Sequence, residues 1–173
     1  MNPADLVAHA RDVAVIVAAV ADEAQRIRDI PKASGAAMRE AGLFKIYQPA
    51  RWGGWQLGPE TFLDVQSVFA EICLSHAWVQ GVLSVQPLVV ARFPEEAQAD
   101  VWAADPSAIV ASAFQPAGNA APTRGGYRLS GRWPFSSGSS LADWAAVGGI
   151  VPAASGDGVE MRLFLVPRRD YRI

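Results

Sequence analysis

Gly125-Gly126-Tyr127-Arg128-Leu129-Ser130-Gly131-Arg132-Trp133-Pro134-Phe135-Ser136-Ser137-Gly138 is the stretch around which the rest of the chain can be ordered. Tyr127 to Ser130 alternate like a strand, Gly131 turns the chain, two large aromatics flank Pro134, and a small hydroxyl-rich loop follows. Two readings fit these residue types. In one, the stretch is a plain hairpin whose aromatics are core and whose Ser/Gly loop is solvated. In the other, the rings cover the face of a flat cofactor, while serine hydroxyls and glycine-exposed backbone N–H groups reach polar atoms on its edge.

What precedes the stretch reads as helical. Leu6, Val7, Ala10, Val13, Ala14, Val17, Val20, Ala21, Ala24 and Ile27 recur at three- and four-residue steps, which predicts one long amphipathic helix. Pro31 and Gly42 bracket a short second helix over Lys32 to Ala41. From Leu43 to Gly58 periodicity disappears, and Trp52 and Trp55 sit among glycines, as gap-filling rings or as pocket lining. Thr61 to Leu74 is a third helix. Ser75 to Phe93 is apolar nearly all round, as in a core or an oligomer interface, and Pro87 inside it predicts a kink or a break. A further helix runs from Pro94 to Trp102, and Asp105-Pro106 closes it.

After Pro106 the pattern becomes β. Ala108 to Phe114 is a short apolar run, Gln115 to Arg124 a turn-rich loop, and Gly126 to Ser130 a strand. Asp143 to Val151 and Val159 to Val166 are further strands, joined by a turn at Ser155 to Gly158. Helices first and strands second make an α+β chain. The expected domains are an all-helical unit over 1–106 and a partial antiparallel β-barrel or sheet over 107–173.

Composition excludes several partners. Fifteen Lys and Arg against seventeen Asp and Glu give a net charge of −2, with no electrostatic footprint for nucleic acid or an anionic membrane. No apolar run approaches the roughly 20 residues of a spanning helix, and no secretory leader is visible. The only cysteine, Cys73, cannot pair within the chain, which fits a cytoplasmic setting; its apolar neighbours suggest core. Two histidines, His9 and His76, lie on different predicted helices, so no metal centre is expected. Nucleotide-loop, zinc-protease and nucleophile-elbow motifs are missing.

Ala41-Gly42-Leu43, Pro49-Ala50-Arg51-Trp52-Gly53-Gly54 and Phe114-Gln115-Pro116-Ala117-Gly118 resemble the acyl-CoA dehydrogenase fold. Gly131 to Gly138, with Asp143-Trp144, Gly148-Gly149, Ser75 to Trp78 and Phe93 to Gln98, is more similar to its flavin-dependent monooxygenase branch, the oxygenase components of two-component aromatic and polycyclic hydroxylases. The resemblance implies a flavin, FMN or FAD, met by Phe135 and Ser137, flanked by Ser136 and Gly138, and touched by Phe114, Gln115 and Gly118. It also implies a substrate pocket with Trp78, Trp133 and Gln86, the last standing where the branch often has a histidine. Ser137 is the candidate catalytic hydroxyl. The implied reaction is hydroxylation of an aromatic or polycyclic small molecule through a flavin C4a-hydroperoxide, which a dry site protects, with reduced flavin from a separate reductase. Family members continue into a C-terminal four-helix bundle that is absent here, so the chain reads as an N-terminal portion, working as a homo-oligomer or in a hetero-complex with a subunit carrying that bundle. Two alternatives are an acyl-CoA dehydrogenase and a non-catalytic assembly subunit paired with a longer paralogue.

Overall fold

The structure, a computed structural model, describes residues 1–153 and 157–173. They form two compact units, Met1–Ile109 and Val110–Ile173.

In the first unit the expected long helix is two, α1 (Pro3–Ala19) and α2 (Ala21–Ile27). Asn2 starts α1 by accepting the Asp5 N–H at 2.9 Å. At Val20 the backbone leaves helical geometry (φ −117°, ψ 10°) and its N–H bonds Val17 three residues back. Branched residues at 13, 15, 16, 17 and 20 lower helix propensity there. The buried stripe of Leu6, Ala10, Val13, Ala14 and Val17 also ends at that point, with only Ala24 buried beyond it. The remaining helices are α3 (Lys32–Glu40), α4 (Pro59–Ala70), α5 (Leu74–Val90) and α6 (Glu95–Trp102). Trp102, Phe69, Leu6, Met38, Leu43, Ile46 and Leu83 are the largest fully buried apolar side chains.

Gly42 ends α3 in the left-handed region at φ 70°, and a β-carbon there would lie 2.7 Å from the Trp55 ring. Trp55 donates its indole N–H to the Gly42 carbonyl at 2.8 Å, and Trp52 donates to Gln98 Oε1 at 3.0 Å. Both tryptophans are thus bonded into the irregular crossing. Helix α5 carries Pro87 without breaking, because the proline lies in the last turn and removes only the donor to the Leu83 carbonyl. Its buried Gln80 and Ser84 both donate to the Leu43 carbonyl at 2.8 Å, and Gln66 donates to Gln80 Oε1. This network ties α5 to the crossing and satisfies the polar groups inside it.

The second unit is a four-stranded sheet of order β2-β1-β3-β4, with β1 Val110–Thr123, β2 Gly126–Gly131, β3 Trp144–Pro152 and β4 Val159–Pro167. Two pairings, β1 with β2 and β3 with β4, are antiparallel as expected; β1 with β3 is parallel, so the sheet is mixed. The connection between the parallel strands β1 and β3 runs through β2 and then Arg132 to Asp143. Most of the expected Gln115 to Arg124 loop is strand. Its prolines are tolerated because Pro116 lies where the register shifts between Ala113 and Gly118, and Pro122 lies beyond Asn119, the last residue of β1 in register with β3. The expected turn at Ser155 to Gly158 falls partly outside the described residues; Ala153 donates to the Gly158 carbonyl across it at 3.1 Å.

Candidate functional site

The quoted stretch is organised by glycines that let other groups approach. On β1 and β2, Gly118 stands opposite Gly131, and on the other side Gly118 stands opposite Gly149 of β3. A β-carbon on Gly118 would lie 2.4 Å from Trp133 Cζ2, and one on Gly131 would lie 2.9 Å from Trp133 Cη2. The indole therefore lies in a seat that only hydrogen side chains leave open. Its N–H donates to the Gly148 carbonyl at 2.7 Å, reaching past β1 to β3.

Between Ala113 and Gly118 the ladder is interrupted, and Phe114, Gln115, Pro116 and Ala117 are all exposed. Gly148 makes room for this bulge: a β-carbon there would lie 2.3 Å from the Phe114 carbonyl oxygen and 2.6 Å from that of Gln115. A bulge next to a sheet is a common way to present side chains outward.

Two residues after the seated indole, Phe135 has φ 61° and is 91% exposed. Left-handed backbone at a bulky residue is strained, and nothing in this unit buries the ring in return. Ser136 and Ser137 follow, both half-buried, and then Gly138 at φ 76°. The turn is held by Ser139 N–H to the Ser136 carbonyl (3.1 Å) and Leu141 N–H to the Gly138 carbonyl (3.0 Å). One unit thus carries an outward phenyl ring, two hydroxyl residues, a left-handed glycine and the Phe114-Gln115 bulge. Gly118 serves this set by giving Trp133 its seat.

On the helical unit, Trp78 is 65% exposed on α5. Gln86, on the same helix, is buried; its amide N–H donates to the Val82 carbonyl at 2.9 Å. Among the described residues its Oε1 is buried and accepts no hydrogen bond. The Val82 bond fixes which end of the amide is oxygen, since a flipped amide would oppose two carbonyl oxygens.

A relay that no sequence motif announces lies at the start of α5. Ser34 Oγ donates its only proton to the Pro31 carbonyl (3.0 Å), so the 2.9 Å contact to His76 Nε2 has the imidazole as donor. His76 Nδ1 is then bare and accepts from the half-buried Cys73 thiol at 3.2 Å. Burial pushes the His76 pKa down, keeping it neutral. Cys73 and His76 stand three residues apart at the junction of two predicted helices, whereas Ser34 is distant in sequence. A groove of about 770 Å³ between α1 and α4, lined by Val7, Arg11, Val15, Asp64 and Glu71 among others, contains none of the expected site residues. Among the described residues no helix is long and apolar enough to cross a membrane.

The oxygenase subunit HsaA of Rhodococcus jostii (strain RHA1), a flavin-dependent monooxygenase, is 39% identical over 153 residues, covering 88% of this chain and 40% of that protein. The oxygenase component of an FADH2-dependent resorcinol hydroxylase from Rhizobium sp. (strain MTP-10005) is 34% identical over 97% of this chain and 41% of its own length. Among solved structures, XiaF from Streptomyces sp., in complex with FADH2 and glycerol, superimposes with a TM-score of 0.91 at 32% identity, over 97% of this chain and 42% of XiaF. No protein-family model matches. The chain is thus similar to oxygenase subunits of flavin-dependent monooxygenases, and it spans well under half the length of these relatives.

Proposed function

We propose that this chain supplies the flavin-edge part of a flavin-dependent monooxygenase that hydroxylates an aromatic or polycyclic small molecule, with reduced flavin delivered by a separate reductase. The observation that carries the proposal is Phe135, whose ring is displayed to solvent at a backbone cost. Strain of that kind, with no packing return in the unit that bears it, is the mark of a residue shaped for a ligand.

The flavin, when bound, supplies the oxygen-activating chemistry. The chain's residues bind and orient it: Phe135 offers its face, Ser136 and Ser137 offer hydroxyls, buried Gly138 at φ 76° shapes the turn beside them, and Phe114 and Gln115 flank from the bulge. Ser137 is the proposed catalytic hydroxyl, holding a proton at the ring edge. Trp78 and Gln86 are the proposed substrate-facing side chains of α5; the unpaired Gln86 Oε1 suits a hydroxyl donor on an aromatic ring. The hydroxylase and monooxygenase descriptions of the relatives favour oxygen transfer over acyl-CoA dehydrogenation. A reducing, cytoplasmic location suits the single Cys73 thiol.

Anaerobic titration with reduced and oxidised FMN and FAD tests the assignment. Phe135→Ala should weaken reduced-flavin binding about tenfold, the scale of a lost ring stack of ~1.4 kcal/mol. Unchanged affinity in that variant would remove this turn from the flavin site.

A further inference from the structure

We infer that Trp133 is a positioning residue: locked on its glycine seat and bonded to the Gly148 carbonyl, it holds Phe135 in the strained, outward conformation and couples that ring to the Phe114-Gln115 bulge. The inference rests on the reading of Phe135 as a flavin contact and goes beyond it by naming what sustains the site.

A strained backbone persists only where its surroundings over-determine it, so something must hold Phe135 at φ 61°. The phenyl ring does not, being 91% exposed. On the C-terminal side the chain is held by the bonds to the Ser136 and Gly138 carbonyls and by left-handed Gly138. On the N-terminal side Pro134 fixes its own φ and passes on the placement of Trp133. The indole cannot slide, because its ring atoms fill the space over Gly118 and Gly131 while its N–H is committed at 2.7 Å. Phe135 is therefore clamped from both sides.

Gly148 joins this clamp to the bulge. Its carbonyl takes the Trp133 N–H, and its bare α-carbon is the surface against which the Phe114 and Gln115 carbonyls lie. A shift of the indole pulls on the same residue that sets the height of the bulge. The two segments proposed to meet the flavin thus move together or not at all, which neither would do as separate solvated loops.

The test uses Trp133→Phe, which removes the N–H and part of the ring, and a second protein with benzothienylalanine at 133, which keeps the shape and removes only the donor. Hydrogen exchange is read without flavin at the Ser139 and Leu141 amides, with the β4 amides as a fold control. Loss of the anchor should speed exchange at Ser139 and Leu141 about tenfold and leave β4 unchanged, the scale of one hydrogen bond. Unchanged exchange in the benzothienylalanine protein overturns the inference even if Trp133→Phe fails to fold. Reduced-flavin affinity is then measured in a double-mutant cycle with Phe135→Ala. Trp133→Phe should cost about tenfold beside Phe135 and less than about twofold beside Ala at 135, because the two act as one unit. Additive losses would refute action through Phe135. If Phe135→Ala alone leaves flavin affinity intact, the flavin reading fails, and the exchange result still judges Trp133.

Discussion

Replacing Phe135 by glycine should separate the stability of the β unit from its binding function. A non-glycine residue in the left-handed region costs roughly 1–2 kcal/mol, and glycine would recover that. Against it stands the greater freedom of glycine in the unfolded chain, about 0.5–1 kcal/mol. The ring returns little on folding: burying a whole phenylalanine contributes roughly 1.5–3 kcal/mol, and this one is 91% exposed. Phe135→Gly should therefore leave the unit unchanged or more stable by up to about 1 kcal/mol, while flavin affinity falls. Phe135→Ala keeps the β-carbon and the strain, so it should be the less stable of the two variants by about 1 kcal/mol. Because the chain has two compact units, the readout is hydrogen exchange at the slowest β1 and β3 amides, which reports the opening of this unit alone. Two results would refute the reasoning: a glycine variant less stable than the parent by more than about 1 kcal/mol, which would mean the ring is packed, or a glycine variant less stable than the alanine variant by about 0.5–1 kcal/mol, which would mean the backbone is not strained.

Two further outcomes follow from the helical unit. The His76 pKa is lowered from its ordinary 6.5 by burial, so below about pH 6.5 the unfolded chain binds the proton that the folded chain refuses. Stability from this group is complete above that pH and is lost as pH falls, by at most about 1.4 kcal/mol per unit. Urea melts between pH 5 and 7 should show this slope, and His76→Gln should flatten it; an unchanged slope would clear His76. Gly42→Ala should destabilise the protein by roughly 1–3 kcal/mol, since it meets both a positive φ and the Trp55 ring at 2.7 Å; a thermal melt showing no loss would contradict the placement of that ring.

Much of the architecture was legible because it follows from local pattern. The apolar stripe of α1, the proline and glycine around α3, and the alternation of β2 each depend on neighbours within a turn or two. What escaped depends on distant partners. The branched residues up to Val20 weaken the helix without locating a break, and the break falls where the buried stripe runs out. Gln115 to Arg124 carries turn residues yet forms strand, because β2 pairs with most of it and the prolines fall where a donor is not needed. The glycines at 118, 131 and 148 look in sequence like turn punctuation. Their purpose, room for the Trp133 ring and for the Phe114 and Gln115 carbonyls, exists only once three strands are side by side. At the site, residue types identified Phe135 and Ser137 as candidates, but the left-handed backbone and the exposure that give Phe135 its meaning are conformational facts.

The parallel pairing of β1 with β3 has a consequence for how the candidate site comes into being. The sheet is two hairpins, β1 with β2 and β3 with β4, each able to close over a short loop. The parallel seam joins their backbones, Tyr127 of β2 meets Arg162 and Phe164 of β4 across it, and the covalent link between them is Arg132 to Asp143. That link contains Trp133, Phe135, Ser136, Ser137 and Gly138, and its anchor at Gly148 belongs to the second hairpin. Neither hairpin alone can build the turn, so the site assembles in the same step that docks the hairpins. Ligand binding at the turn would, by mass action, favour the docked sheet over separated hairpins.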